Sequence, residues 1–300
     1  MTAARTFQVL GCEVSIATAC PEIAGRLDYV VVSAVQQYPV SRRVAYQVDR
    51  EDDGYLVREN GNVWYRDGSA DRVLIELFRR MHAIVYGQMH GRLRLHAGCG
   101  SYQGKLFLTA GPKGVGKSTL MARLVFEGFS VSGDEMVFGL GREVIALPRR
   151  FHLKAPALDL LPQVAAVADR LPFVMGEGGQ KIVAFDPTDA GLPWAIGPGG
   201  PVAIFFLQPN HGGTTTVQAC PKLAMIQRLM SQSLFDGREA GAWIQALGTL
   251  VRAADCYTLH MGDLSMAARL MQTTLNATVA PRWSAEPDGK EDPWQKMRVN

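Results

Sequence analysis

The sequence predicts an α/β fold preceded by a β-rich amino-terminal region. Between residues 7 and 67, short pieces of alternating apolar and polar residues are separated by Gly, Pro and Asn, which is typical of strands. Between residues 106 and 132, an apolar strand, a glycine-rich loop, a helical stretch and a second strand follow one another, as in a βαβ unit with a parallel sheet. The 300 residues, 47% of them apolar and 20% charged, suffice for one large or two small globular domains.

The amino-terminal region, residues 1–90, is predicted to be β-rich and to end in a helix. Asn60-Gly61 favours a tight turn between two strands, because both residues tolerate positive φ angles. Ser69 is a suitable N-cap for a helix of some five turns, since apolar residues recur at helical spacing up to Val85. The strands are predicted at 7–10, 14–17, 29–32, 43–48, 54–57 and 63–66.

Residues 91–277 are predicted to form one α/β domain. Its strands are expected at 93–97, 106–110, 129–132, 202–207 and 257–260, with a hairpin of 137–140 and 143–147. Its helices are expected at 117–127, 222–233, 238–253 and 263–275, and a glycine-rich segment covers 176–200. Residues 278–300 are rich in Pro, Gly and polar residues, and we expect a disordered tail there.

Composition and charge exclude several classes of function. The 31 basic and 28 acidic residues leave a net charge of +3, too small a surplus to predict binding of nucleic acid. The apolar runs are too short for a membrane span, and Glu13 interrupts the first of them before it resembles a signal peptide. The five cysteines have neither CxxC spacing nor a nearby His at metal-ligand spacing, which predicts buried thiols. We therefore expect a cytoplasmic protein with no membrane and no nucleic-acid partner.

The glycine-rich loop carries the strongest chemical signal. Residues 111–118 match the pattern G-x-x-x-x-G-K-[ST] in full, with an apolar strand before them and a helix after them. The glycines allow consecutive backbone N–H groups to converge on a phosphate, and the helix adds its positive end. Lys117 would neutralise the β and γ phosphates, and the Ser118 hydroxyl suits Mg²⁺. The predicted nucleotide-binding residues are Gly111, Pro112, Lys113, Gly114, Val115, Gly116, Lys117, Ser118 and Thr119.

A pair of carboxylates follows the next predicted strand, at Asp134 and Glu135. Such a pair alone is typical of a solvated turn. In a parallel βαβ unit, however, the strand end opens on the crevice that holds the phosphates. One carboxylate would then bind Mg²⁺ and the other would accept a proton from an attacking hydroxyl.

Two further sets of residues are candidates for the functional site, and for each set a purely structural role is the alternative. His96 ends the strand before the loop, and by itself such a residue is more typical of a histidine in the core. Arg149, Arg150 and Lys154 could clamp a phosphate or an acidic substrate group, or could form an exposed basic rim.

Taken together, these motifs resemble the HPr kinase/phosphorylase family, and more closely its HPr kinase-related branch, which often accompanies peptide-modifying gene sets. The resemblance rests on Leu95-His96-Ala97, residues 111–120, Gly133-Asp134-Glu135 and residues 147–154. It implies a P-loop kinase core of the HPr kinase type with a mixed sheet. It also implies that Asp134 is the catalytic base, that Glu135 aids the metal, and that His96 belongs to the site. Relatives often assemble, so a homo-oligomer is compatible with the resemblance.

The chain departs from the family at two points. True HPr kinases have Glu after the P-loop Ser, where this chain has Thr119, and no counterpart of the carboxy-terminal Arg-Gly signature is found. These departures argue against HPr as the substrate and against the reverse phosphorylase reaction.

The function predicted from the sequence is that of an ATP- and Mg²⁺-dependent kinase acting on a hydroxyl of a peptide, protein or small molecule. Two alternatives make no phosphorylated product. One is a nucleotide-gated binding module. The other is an ATP-binding scaffold whose amino-terminal sheet captures a peptide strand. The absence of an Asn-Lys-x-Asp string argues against a GTPase switch.

Overall fold

The structure is a computed structural model that describes residues 2–36, 38–234 and 240–278. The chain forms two compact units, each discontinuous in sequence. Over their described residues, unit 1 comprises Met1–His90 and Pro148–Ile196, and unit 2 comprises Gly91–Leu147 and Gly197–Asn300. This division differs from the predicted one, because residues 148–196 group with the amino-terminal region.

The helices and strands follow one another along the chain in four stretches. Residues 1–90 hold β1 (Ala3–Val9), β2 (Cys12–Thr18), α1 (Pro21–Ala24), β3 (Val35–Gln36), β4 (Arg42–Glu51), β5 (Gly54–Glu59), β6 (Asn62–Asp67) and α2 (Ala70–Gln88). Residues 91–147 hold β7 (Arg94–Leu95), β8 (Ala97–Tyr102), β9 (Lys105–Ala110), α3 (Lys117–Val125), β10 (Ser130–Gly133), β11 (Val137–Leu140) and β12 (Glu143–Ala146). Residues 148–196 hold β13 (Phe151–Lys154), α4 (Ala155–Leu158), α5 (Pro162–Ala165), β14 (Phe173–Met175), β15 (Lys181–Phe185) and β16 (Ala195–Ile196). Residues 197–278 hold β17 (Ala203–Pro209), β18 (Thr216–Ala219), α6 (Lys222–Met230), α7 (Ala240–Ala253), β19 (Asp255–Met261) and α8 (Leu264–Ala277).

Unit 1 is built on a five-stranded sheet of order β1-β2-β4-β5-β6. Strand β4 alternates exposed and buried residues, so that Val44, Tyr46 and Val48 face the core. Helix α2 packs on β5 and β6, and its N-cap is Ser69, whose hydroxyl accepts the Arg72 N–H at 3.5 Å. The described part of residues 1–90 therefore holds six strands followed by the long helix α2.

Two elements of unit 1 differ from the sequence-based expectation. The strand predicted at 29–32 is wrong, because Leu27–Tyr29 is a 3-10 helix and the Tyr29 ring stacks on His152 at 4.7 Å. The glycine-rich segment contains a strand, β15, which lies between β13 and β14 in a three-stranded antiparallel sheet. This sheet joins the second stretch of unit 1 to the first, since β14 packs on α2 and the Met175 N–H donates to Asp71 Oδ1 at 2.9 Å.

Unit 2 is built on a mixed six-stranded sheet of order β10-β8-β9-β17-β19-β18. Strands β9, β17 and β19 run parallel, while β8 is antiparallel to β9 and β10 is antiparallel to β8. Strands β9 and β10 thus share a direction but are separated by β8. The fold class is α/β with a mixed sheet, as predicted.

The core of unit 2 lies between this sheet, the hairpin β11–β12 and helices α6 and α7. It is formed by buried aliphatic residues that include Leu108, Val137, Ile204, Leu229 and Leu250. The hairpin is the predicted one, and β11 also pairs with β7.

The remaining sequence predictions concern helices, cysteines and the tail. No helix among the described residues is long and apolar enough to cross a membrane. All five cysteines are buried and free, as predicted, and burial raises the pKa of the Cys99 thiol to about 12. The predicted start of the helix at 238–253 and the tail beyond Thr278 lie outside the described residues.

Candidate functional site

One edge of the six-stranded sheet gathers the ends of five neighbouring strands. Because β9, β17 and β19 are parallel, their carboxyl ends lie at this edge together with the amino end of β8 and the carboxyl end of β10. The residues along the edge are Gly133 (β10), Ala97 (β8), Ala110 (β9), Pro209 (β17) and Met261 (β19). In open α/β sheets ligands bind outside the carboxyl ends of the strands.

The loop of residues 111–118 connects β9 to α3 at this edge, in the strand–loop–helix context that the motif requires. Gly114 and Gly116 have φ angles of 84° and 94°, a region that side chains with a Cβ rarely adopt. A Cβ on Gly111 would lie 2.9 Å from the Leu207 carbonyl oxygen of β17, so only glycine fits there. The backbone therefore requires glycine at these three positions of the loop.

Lys117 is the first residue of α3 and is buried, and its ammonium group donates to the Gly111 carbonyl oxygen at 3.3 Å. This hydrogen bond brings the side chain back over the loop. Ser118 and Thr119 follow in the first turn of α3, where the backbone N–H groups have no partner within the helix. The loop thus combines a fixed positive charge, the N–H groups at the start of a helix and a hydroxyl, which together suit a phosphate chain.

The carboxylates lie on the other side of β8, where β10 ends. A Cβ on Gly133 would be 2.8 Å from the Leu147 carbonyl oxygen, so this glycine allows the chain to leave the sheet beside the hairpin. Asp134 is fully buried, whereas the Glu135 side chain is 37% exposed. The two adjacent carboxylates thus have different environments.

His96 lies at the break between β7 and β8, which belong to different sheets. Its backbone N–H donates to the Gln232 carbonyl oxygen at 2.7 Å, so the break is anchored to the end of α6. Its Nε2 is 3.6 Å from Glu135 Oε2, and the His96 side chain is 28% exposed. In the sheet, β8 lies between β9 and β10. His96 directly precedes β8, so it lies between the loop that follows β9 and the carboxylates that follow β10.

The three predicted substrate-binding residues belong to unit 1 and do not share one environment. Arg150 is buried and its Nη2 lies 2.9 Å from Asp186 Oδ2 and 3.0 Å from Asp189 Oδ1. Arg149 is also buried and lies over the Phe78 ring, while Lys154 is exposed. Arg150 therefore has a structural role within unit 1, and substrate contact by Arg149 and Lys154 stays a prediction.

The loops that follow β17 and β19 also lie at this edge of the sheet. A Cβ on Gly116 would lie 3.3 Å from the Met261 methyl carbon, so Met261 borders the glycine-rich loop. The two loops are joined, because the Asn210 N–H donates to the Met261 carbonyl oxygen at 2.9 Å. Only the strand order could have identified them, since their sequences carry no motif.

The oxygen donors of the site fit Mg²⁺. Among the described residues no group of three His, Cys, Asp or Glu side chains could hold a metal by itself. Mg²⁺ in nucleotide sites is usually held by one or two protein oxygens together with phosphates and water. The Ser118 hydroxyl and the carboxylates of Asp134 and Glu135 would supply such oxygens to a bound Mg²⁺.

Comparisons with known proteins give a distant likeness. No family model and no curated protein matches the chain. Among solved structures, the chain is similar to the Hpr(Ser) kinase/phosphatase from Coxiella burnetii, with a TM-score of 0.31 and 10% identity. The match covers 61% of this chain and 97% of that chain. The function proposed below is argued from the residues of this chain alone.

Proposed function

We propose that this chain is an ATP-dependent kinase that transfers the γ-phosphoryl group to a hydroxyl of a peptide, a protein or a small molecule. The observation that carries the proposal is the shared sheet edge. It places the loop with Lys117 at the end of β9, Asp134 and Glu135 at the end of β10, and His96 between them.

The loop is proposed to bind the triphosphate. Its N–H groups and the amino end of α3 would hold the phosphate oxygens, and Lys117 would neutralise the β and γ phosphates. Ser118 and Glu135 would hold Mg²⁺, whose charge stabilises the phosphates during transfer. The proposed contribution of the loop is therefore positioning and charge neutralisation.

The carboxylate Asp134 is proposed to activate the acceptor. The acceptor oxygen attacks the γ-phosphorus, the bond from that phosphorus to the β–γ bridging oxygen breaks, and ADP leaves with the electron pair. The hydroxyl proton passes to Asp134. His96 is proposed to contact the γ-phosphate or to orient Glu135, from which its Nε2 is 3.6 Å away.

The exposures of the two carboxylates support a second assignment in which the roles are exchanged. Glu135 is the more exposed of the two and lies beside His96, so an acceptor could approach it directly. Asp134, which is fully buried, would then hold the metal. Both assignments describe the same kinase reaction.

The test uses Asp134→Asn and Glu135→Gln, because each amide keeps the shape of the carboxylate but cannot accept a proton at neutral pH. The variant that lacks the base should still bind Mg-ATP, while phosphoryl transfer falls by about a hundredfold to ten-thousandfold. The variant that lacks the metal ligand should lose ATP affinity and turnover together, and excess Mg²⁺ should partly restore both. Calorimetry gives the affinity, and γ-labelled ATP with mass spectrometry of candidate acceptors gives the transfer.

The same experiment tests the alternatives that make no phosphorylated product. A nucleotide-gated module or an ATP-binding scaffold predicts ATP binding without labelled acceptor, and variants that change only the binding of a partner. Equal transfer by the wild type and both variants would remove the two carboxylates from the mechanism.

A further inference from the structure

We propose that unit 1 binds a basic peptide segment, which pairs in extended form with the end of β4. The site is a cavity of about 500 Å³. It is lined by residues 19–22 on one side and by Asp49, Arg50 and Tyr55 on the other. All of these residues belong to unit 1, so the inference goes beyond the proposed function and does not depend on phosphoryl transfer.

Strand β4 runs past the end of its neighbour β2. The last pair of these two parallel strands is Thr18 with Val48, whereas β4 continues to Glu51. The Thr18 hydroxyl donates to the Val48 carbonyl oxygen at 2.8 Å and accepts the Cys20 N–H at 3.0 Å, so the chain turns away from β4 there. Among the described strands, only β5 pairs with residues 49–51. The cavity lies where β2 and β4 separate, beside a strand edge with which an extended peptide can pair.

The cavity beside this edge has an apolar side and a fixed aromatic wall. Ala19 and Pro21 are exposed on one side, where they can contact the aliphatic part of a bound side chain. On the other side the Tyr55 ring is held in place. Its hydroxyl donates to the Glu22 carboxylate, and the Arg50 guanidinium lies 4.8 Å from the ring centroid. A volume of this size is ordinary for a ligand site whose shape exists before binding.

The surface that continues from this cavity is acidic, although the whole chain carries a net charge of +3. A second cavity of about 550 Å³, lined by residues 51–55 and 66–68, shares Tyr55 with the first. The two linings together contain six carboxylates and two guanidinium groups. The local charge is therefore opposite in sign to that of the chain.

The two guanidinium groups leave carboxylates over, because each is already paired with a carboxylate of the same surface. Arg50 lies 3.4 Å from Glu22, and Arg66 lies 3.1 Å from Glu51. The turn of residues 52–53, between β4 and β5, holds two exposed aspartates, and no ion pair in the described part of the chain involves them. These two carboxylates are available to basic side chains of a ligand.

The open edge and the apolar side of the cavity favour a peptide over a simple cation. Among the described residues, no group of three His, Cys, Asp or Glu side chains could hold a metal ion. Alternate side chains of an extended peptide point to the same side, so lysine or arginine at alternate positions would face the carboxylates together. Their aliphatic stems would lie on Ala19 and Pro21. The expected ligand is a segment in which basic and apolar residues alternate.

The test measures the binding of three fluorescein-labelled peptides by fluorescence anisotropy. The first is a short peptide of alternating lysine and valine, the second replaces each lysine by glutamate, and the third is the lysine–valine peptide with N-methylated peptide bonds. The first should bind, and the second should not. The third keeps the charge but cannot donate backbone hydrogen bonds, so it should bind at least about tenfold more weakly.

The matched variants remove the same charge at two places in unit 1. Asp52→Asn/Asp53→Asn should weaken binding of the lysine–valine peptide by about two- to thirtyfold, the range expected for two exposed ion pairs. Asp159→Asn/Asp169→Asn is the control, because these aspartates are also exposed but line neither cavity. The control should bind the peptide as the wild type does.

Several results would overturn the inference. Equal binding of the N-methylated peptide would show attraction of charge without strand pairing, and displacement of the lysine–valine peptide by an equal concentration of spermine would indicate a polyamine site. Equal binding by Asp52→Asn/Asp53→Asn, or no binding by the wild type, would exclude a basic peptide from this surface. A dimer of the wild type that this variant lacks, without peptide binding, would assign the surface to a second copy of the chain.

Discussion

His96 is held in place by its backbone, because its N–H is bonded to the Gln232 carbonyl oxygen while its side chain is partly exposed. A substitution of the side chain leaves this backbone hydrogen bond in place. We predict that His96→Ala keeps the melting temperature near that of the wild type and lowers phosphoryl transfer. Calorimetric melting and a transfer assay on the same preparation measure the two effects.

A loss of roughly 2 kcal/mol or more in the free energy of unfolding of His96→Ala would contradict this role. Such a loss is typical of a packed side chain in the core. It would indicate that His96 is a histidine of the core, the role that its sequence context also allows.

Arg150 is expected to behave in the opposite way. Its Nη2 is shared by the carboxylates of Asp186, which is fully buried, and Asp189. Removal of one partner from a buried ion pair leaves an uncompensated charge, so Arg150→Met should lower the free energy of unfolding by about 3–5 kcal/mol. Lys154→Met, at the exposed last residue of the strand that follows Arg150, should change it little. Urea unfolding measures both.

An unchanged stability of Arg150→Met, together with a loss of acceptor or nucleotide affinity, would restore Arg150 as a substrate ligand. The sequence could not distinguish these roles, since Arg149, Arg150 and Lys154 form one basic string in it. The partners of Arg150 come from residues more than thirty positions later, and only the fold brings them together.

Among the contacts between elements, the ion pair that joins α2 to β5 predicts a dependence of the protein's stability on pH. The Arg80 guanidinium donates to Glu59 at 2.7 Å and 2.9 Å, and the Tyr46 hydroxyl donates to the same carboxylate at 3.1 Å. These hydrogen bonds, that of Arg80 first, lower the pKa of Glu59 in the folded chain. The unfolded chain has the ordinary glutamate pKa of roughly 4.3.

Because the folded pKa is the lower one, the stabilisation by Glu59 is complete above the unfolded pKa and is lost as the pH falls through the folded pKa. We predict that Glu59→Gln lowers the free energy of unfolding by about 1–2 kcal/mol at pH 7, and that the difference from the wild type shrinks below pH 4. Chemical unfolding across this pH range measures it. Glu51→Gln, in the exposed pair with Arg66, is the matched control and should have little effect. A difference that does not depend on pH would contradict the account.

Local pattern predicts elements well where burial follows the period of the element. Helix α2 and strands β4 and β17 were predicted from apolar spacing, and the loop before α3 from its glycines. The strand predicted from the apolar run at 29–32 is wrong, because the Tyr29 ring stacks on His152 and the segment does not pair with a strand. Distant contacts override a local pattern in this way.

At the scale of the whole molecule, the sequence could not show which strands are neighbours. The strand β8, which contains Gly98 and Gly100, inserts between β9 and β10 and brings His96 to the edge. A Cβ on Gly98 would lie 2.5 Å from Thr109 Oγ1, so the packing explains these glycines only once the pairing is known. Two other features depend on long-range contacts in the same way and were not predicted. Residues 148–196 belong to unit 1, and Met261 lies next to the glycine-rich loop.

Thermal stabilisation by nucleotide measures whether the glycine-rich loop at this sheet edge binds Mg-ATP, as we propose. Mg-ATP at a hundred times its Kd adds about 2.7 kcal/mol to the stability of the protein that binds it. We predict that Mg-ATP raises the melting temperature of the wild type and of Arg142→Ala, at an exposed basic residue in the turn between β11 and β12, and that Lys117→Ala abolishes the rise. No rise in the wild type with any nucleoside triphosphate, or an equal rise in Lys117→Ala, would contradict the account.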